Sequence, residues 1–140
     1  VSFTLDVDFA ASPAEAFALL SDPVRRPEWQ SSLRTVQVLT EGPPRVGTRW
    51  HDVTWPGLRP LMEITVFEPE QRWAERGTWR GVTVDLLLDF VATPTGTRVT
   101  ATCTAYAVGL LRPVGPVLDR LGPLAARDDL RRAARIVSAA

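Results

Sequence analysis

Six short apolar or alternating segments follow one another through the middle of this chain, each parted from the next by only a few turn-forming residues. Segment 33–40 runs into Glu41-Gly42-Pro43-Pro44, 47–55 into Pro56-Gly57, and 61–67 into Glu68-Pro69-Glu70. Segment 72–79 runs into Arg80-Gly81, 82–91 into Thr93-Pro94-Thr95-Gly96, and 97–108 stops at Gly109. Connections this short leave no room for a crossover. Sequence neighbours must therefore be neighbours in an antiparallel meander.

The flanks complete the order. In 2–10, Phe3, Leu5, Val7 and Phe9 alternate with Ser2, Thr4, Asp6 and Asp8, the pattern of a half-buried strand. Ser12-Pro13-Ala14-Glu15 then reads as a helix start, with Ser12 as the cap, Pro13 in the first turn and Glu15 closing a capping box. Ser21-Asp22-Pro23 starts a second short helix that ends near Pro27-Glu28-Trp29. From 113 to 138 the apolar spacing becomes helical, through Val117, Leu118, Leu121, Leu124, Ala125, Leu130, Ala133, Ile136 and Val137. Gly122-Pro123 predicts a kink or a break in that helix. The expected fold is α+β, in one domain over 1–140: a seven-stranded curved antiparallel sheet grips a long C-terminal helix, with two short helices between strands 1 and 2. The long helix is the one large element available to cover the apolar face of the sheet.

Charge and composition remove several functions. The 16 acidic residues balance 16 basic ones, which argues against nucleic acid and gives no polybasic patch for anionic lipid. Every basic residue is an arginine, so no lysine Schiff base can form. One His and one Cys cannot build a typical zinc site, and a lone Cys103 forms no intrachain disulfide. G-x-S-x-G, P-loop and G-x-G-x-x-G motifs are missing, and no cofactor is expected. No stretch approaches the ~20 apolar residues of an integral membrane segment. The opening VSFTLDVDFAAS alternates, unlike a charged-then-apolar leader, and a cytoplasmic location is the expectation. Oligomeric state is left open.

Four local stretches carry a family resemblance: Ser12-Pro13-Ala14-Glu15-Ala16-Phe17, the segment from Asp22-Pro23 to Pro27-Glu28-Trp29, Gly42-Pro43-Pro44-Arg45-Val46-Gly47-Thr48-Arg49-Trp50, and Gly96-Thr97-Arg98-Val99-Thr100. With the order of elements, they resemble the START-like (SRPBCC) superfamily, and within it the polyketide cyclase/dehydrase-like branch. The resemblance covers nearly the whole chain and implies a helix-grip fold around an internal cavity. Its motifs are structural and carry no catalytic signature. The superfamily holds lipid carriers, hormone receptors and aromatic polyketide cyclases, so the activity stays open.

Candidate cavity residues follow from strand parity. On the last strand Thr97, Val99, Ala101, Cys103, Ala105 and Ala107 share one face, mostly small. Against a helix such a stripe leaves a pocket wall, or else it lets the helix pack close. Leu86, Leu88 and Phe90 share a face of the preceding strand, and Leu121 lies on the apolar side of the long helix. Trp73 and Trp79 share a parity with Glu75 and Gly77; they suit either the core or the walls of a cavity for ring systems. If they face inward so does Glu75, whose carboxylate then needs a partner (Arg49, Arg76 or Arg80) or a raised pKa. If the other parity faces inward, Arg76 takes its place. His51, the sole histidine, and Tyr106, the sole tyrosine, complete the acid/base candidates. His51 points away from its neighbour Asp52 and reads as a surface residue or, alternatively, as an acid/base group at the cavity mouth; the parity of Tyr106 opposes the small-residue face. Cys103 reads as packing. Asp128-Asp129 interrupts the helical apolar stripe, so one of the two can approach the inner face.

Three functions fit these residues. The first is binding of a small hydrophobic or aromatic molecule in an internal cavity. The second is an aromatic polyketide cyclase or dehydratase using the same cavity, with Glu75, Arg76, His51 and Tyr106 as candidate acid/base groups. The third is a protein-partner module whose loops Trp55-Pro56-Gly57-Leu58 and Gly109-Leu110-Leu111-Arg112 form an apolar patch. Two or more convergent ionisable groups in the cavity favour an enzyme; one polar group in a dry cavity favours a carrier.

Overall fold

A computed structural model describes residues 2–108 and 115–138, the side chains of 115–121 excepted. Strand β1 spans Ser2–Phe9, helix α1 Pro13–Leu20, and helix α2 Arg26–Trp29 after a 3-10 turn at Pro23–Arg25. Six strands follow: β2 (Leu33–Val38), β3 (Arg49–Thr54), β4 (Leu61–Glu68), β5 (Arg72–Trp79), β6 (Val82–Thr93) and β7 (Gly96–Ala107). Helix α3, Gly115–Ser138, closes the order. The sheet is antiparallel throughout, in the order β1-β7-β6-β5-β4-β3-β2, so the meander is simple and β1 closes onto β7. Helix α3 runs through Pro123 without a break. Of the kink or break expected at Gly122-Pro123, the break is therefore not found; packing of α3 on β1, β7, α1 and α2 overrides the local penalty of the proline. Among the described residues no helix is long and apolar enough to cross a membrane.

Local chemistry fixes the ends. Ser12 Oγ accepts the Glu15 backbone N–H at 3.2 Å, and Asp22 Oδ1 accepts that of Val24 at 3.0 Å. At the β6–β7 turn, Gly96 approaches the backbone so closely that a Cβ there would lie 2.0 Å from the Phe9 carbonyl oxygen.

The two faces of the sheet differ in kind. The outer face carries directly opposed cross-strand ion pairs: Arg72–Asp89 at 2.8 Å, Arg76–Asp85 at 2.7 Å, Arg49–Glu63 at 2.6 Å and Arg98–Asp8 at 3.1 Å. Exposed pairs of this kind contribute about 0–1 kcal/mol each, and they mainly fix which face looks outward. The inner face is apolar but uneven along its length. Toward α1 it is filled by large side chains: Phe17 packs edge-on to Phe67 and Phe90 at centroid distances of 5.3 and 5.2 Å, over Phe9, Leu88 and Val99. Toward the far end of β7 the side chains shrink to Ala101, Cys103 and Ala105, and α3 opposes them with Gly122, Ala125 and Ala126. Small residues on both layers cannot close the gap between a sheet and a helix, so space remains there.

Candidate functional site

That space is a cavity of about 440 Å³. Leu86, Leu88, Val84, Met62 and Trp79 supply most of the apolar wall on the sheet side, with Gly77 between them. Gly77 matters because a Cβ there would meet the Met62 sulfur at 2.8 Å; without it the β5 backbone forms the wall directly. Leu58 and Pro60, from the β3–β4 connection, and Phe3, from β1, extend the lining.

One region of the wall is polar. Strand β3 turns Trp50, Asp52 and Thr54 inward, and β5 turns Trp73, Glu75 and Gly77 inward. Asp52 and Glu75 both line the cavity while 3% and 4% exposed. Behind them lies Arg26, the first residue of α2, whose side chain is fully enclosed. Its Nη1 donates to Glu75 Oε2 at 2.8 Å and its Nη2 to Glu75 Oε1 at 2.9 Å. Nη2 also donates to Gln30 Oε1 at 2.7 Å. The guanidinium sits among the Trp29, Trp50 and Trp73 rings, 5.5, 5.6 and 5.9 Å from their centroids. Asp52 Oδ1 accepts the Trp50 indole N–H at 2.8 Å and lies 3.8 Å from Arg26 Nε, too far for a hydrogen bond. No described residue donates to Asp52 Oδ2.

One guanidinium thus faces two buried carboxylates. Burial pushes the Glu75 carboxyl up to about 7, against the lowering by Arg26 and with help from the Asp52 charge. Arg26 is held above its ordinary value, because the two carboxylates together outweigh its burial. The proton that moves near neutrality therefore belongs to Glu75, and the arginine stays charged. A third acid, Asp129 of α3, reaches the wall and accepts the Ser31 N–H and hydroxyl at 3.2 and 3.0 Å, tying α3 to the α2–β2 connection. Partial burial raises its pKa.

The sequence-derived candidates divide sharply. Glu75, Trp79, Leu86, Leu88, Ala101 and Cys103 lie in the cavity wall. Trp73 is buried beside Arg26 rather than in the wall, and Phe90 and Val99 belong to the filled half of the core. The Leu121 side chain lies outside the described residues, as does the loop 109–112. Arg76 points outward into its pair with Asp85. His51 faces outward because Trp50 and Asp52 take the inner parity of β3, and its Nδ1 lies 3.1 Å from the Arg59 carbonyl oxygen. Tyr106 is 53% exposed on the outer face. Of the four acid/base candidates, Glu75 alone reaches the cavity.

Sequence reasoning passed over Arg26 and Asp52 and named the wrong arginines as partners for Glu75. Arg26 lies in the second short helix, four residues long, where no alternating pattern marks which side chains face the sheet. The available signal for Asp52 was its i+2 spacing from Trp50: a large aromatic marks the inner face of a strand, and Asp52 shares it.

The comparisons agree with the fold. The family described as "Polyketide cyclase / dehydrase and lipid transport" matches residues 1–138. Among solved structures, the chain is similar to Ara h 8.0201, with a TM-score of 0.79 and 12% identity over 100% of this chain and 99% of that one. It is similar to the di-domain ARO/CYC StfQ from the steffimycin biosynthetic pathway, with a TM-score of 0.77 and 15% identity over 99% of this chain and 50% of that one. It is also similar to MLL2253 from Mesorhizobium loti, with a TM-score of 0.72 and 16% identity over 96% of this chain and 98% of that one. At such identities these likenesses speak to the fold alone. No curated protein matches the chain. The full-length family match and the sheet wrapped on its C-terminal helix agree: this chain belongs to the polyketide cyclase/dehydrase and lipid transport family, on the helix-grip fold of the START-like superfamily.

Proposed function

We propose that this protein, acting as one domain, binds a small hydrophobic or aromatic molecule in the cavity between β5–β7 and α3. The observation that carries the reading is the cavity itself: about 440 Å³, walled mainly by aliphatic and aromatic side chains, with carboxyl groups at Asp52, Glu75 and Asp129 and uncharged polar groups at Gln30, Ser32, Thr54 and Thr78. That size falls within the range of small-molecule sites, and a few convergent polar groups in an apolar wall are what orient a bound molecule. Ala101, Cys103 and Ala105 against Gly122, Ala125 and Ala126 leave room for a flat ring system. Trp79, Leu86 and Leu88 form the apolar surface beside it. Native mass spectrometry of the purified protein tests this. A co-purified small molecule released on denaturation supports the reading; a bare chain that also takes up none of a panel of polyketides, quinones and fatty acids counts against it.

A second reading has its own support in Glu75. A carboxyl in the cavity wall with a pKa of about 7 exchanges a proton near neutrality, as a general base for enolisation or dehydration must. On this reading the cavity orients a reactive chain, Glu75 takes the proton, and Arg26 holds the carboxylate in place. Glu75→Gln separates the two readings. Turnover is the discriminating readout: a cyclase or dehydratase loses it by about 10²–10⁴-fold in the variant, whereas a carrier has none to lose in either form.

A further inference from the structure

The sign of the charge in the cavity points to the kind of ligand. The ionisable side chains among the described lining residues are Asp52, Glu75, Asp129 and Cys103: three acids, one thiol and no base. Arg26 does not line the cavity; it is enclosed behind the acids and spends two donors on Glu75 and one on Gln30. Asp52 is the most telling. It is 3% exposed, it forms part of the wall, and one of its carboxylate oxygens receives no hydrogen bond from a described residue. An oxygen of that kind in the wall is open to a hydrogen-bond donor from a molecule in the cavity, and as a carboxylate oxygen it can only accept.

We propose that the cavity selects ligands presenting an uncharged or cationic hydrogen-bond donor, such as a phenol, an alcohol or an ammonium group, to Asp52 and Glu75, and that it rejects ligands ending in an anion. The inference rests on the binding reading above and deepens it. An ionised carboxylate can only accept, so a ligand acceptor placed against it stays unpaired. A ligand carboxylate adds like-charge repulsion in a low-dielectric enclosure, where screening by water is weakest. Apolar contact with the walls contributes equally to every member of a ring-matched ligand series. The polar end alone then decides between them.

Isothermal titration calorimetry with four naphthalene probes at pH 7.5 tests this: 2-naphthol, 2-naphthylmethylamine, 2-methoxynaphthalene and 2-naphthoate. The expected order places naphthol or the amine first, the methyl ether about tenfold weaker, and naphthoate weaker again by about tenfold or more. Naphthol ahead of the amine identifies a neutral donor as the preferred group, and the reverse order a cationic one; either order supports the proposal. Naphthoate binding as tightly as naphthol overturns it while leaving the cavity reading intact. Failure of all four probes overturns both. Asp52→Asn, which removes the charge but keeps an oxygen for the Trp50 N–H, is expected to shrink the naphthol-to-naphthoate ratio at least threefold. An unchanged ratio overturns the assignment to Asp52, and the wild-type series decides the rest without any variant.

Discussion

Arg26 and Glu75, 49 residues apart, meet in a two-pronged ion pair at 2.8 and 2.9 Å that joins helix α2 to the middle of the sheet. Both are buried, and Asp52 leaves the trio with one more negative charge than positive. Removing the arginine strands two carboxylates in the interior. Arg26→Ala is expected to destabilise the fold by about 3–5 kcal/mol, measured by urea denaturation. Glu75→Gln, which relieves the excess negative charge, is expected to cost far less. Equal losses from the two variants would refute the view that the arginine is the keystone of the cluster.

Stability should depend on pH in a definite direction. The Glu75 carboxyl titrates at about 7 in the folded chain, above its ordinary 4.5, because burial and Asp52 outweigh Arg26. The folded state therefore binds the extra proton between those values. Its contribution is fully present below about pH 4.5 and is lost as the pH rises through about 7, a change on the order of 3 kcal/mol. Asp129, also raised, acts in the same direction. Urea midpoints from pH 5 to 8 should fall for the wild type and fall less for Glu75→Gln. Parallel slopes for the two would contradict the assignment.

How much of this was legible in the sequence depends on distance along the chain. Alternation in β5, β6 and β7 placed Glu75, Trp79, Leu86, Leu88, Ala101 and Cys103 on one face, because strand parity is a local property of period two. Local parity does not say how far a face is filled. Phe90 and Val99 share the face but lie where Phe17 occupies the space, and nothing within β6 or β7 announces that α1 covers one half and not the other. The Arg26–Glu75 pair was out of reach for the same reason: pairing across 49 residues is set by how α2 lies on the sheet. His51 drew attention as the sole histidine, while the inward residue of the pair was its neighbour Asp52.

Gly96 tests the closure of the sheet. A methyl group there would stand 2.0 Å from the Phe9 carbonyl oxygen and 2.9 Å from the Ala11 nitrogen, both backbone atoms that cannot swing aside. Gly96→Ala should lower stability by about 2 kcal/mol or more. Gly47→Ala, where φ is +90° but nothing lies within 4 Å, should cost only about 1 kcal/mol. Thermal melts of the two variants give the comparison, and equal shifts in Tm would argue against the close contact.

Cys103 offers a reporter inside the cavity. Burial, with the charges of Glu75 and Asp85, pushes its thiol up to about 11, and it is the sole cysteine of the chain. Iodoacetamide should modify it on the order of 100-fold more slowly than a free thiol at pH 8. A bound ligand should slow the reaction further, in proportion to occupancy. Modification at the rate of an exposed thiol would place Cys103 outside an enclosed wall.

Filling the space should abolish binding without harming the fold. Ala105 lies in the cavity wall on β7, and Ala105→Phe directs a ring into the volume that a ligand would occupy. Affinity for 2-naphthol is expected to fall at least tenfold while the urea midpoint holds or rises. Loss of both together would show that the cavity is part of the packed core.

The central claim is that an apolar cavity beside Trp79 and Trp29 takes up a small hydrophobic molecule. Titration of intrinsic tryptophan fluorescence with aromatic polyketides, quinones and fatty acids tests it most directly. Saturable quenching at micromolar concentration by an aromatic member, absent in Ala105→Phe, is the predicted result. No saturable change across the panel, or identical quenching by the filled variant, would contradict it.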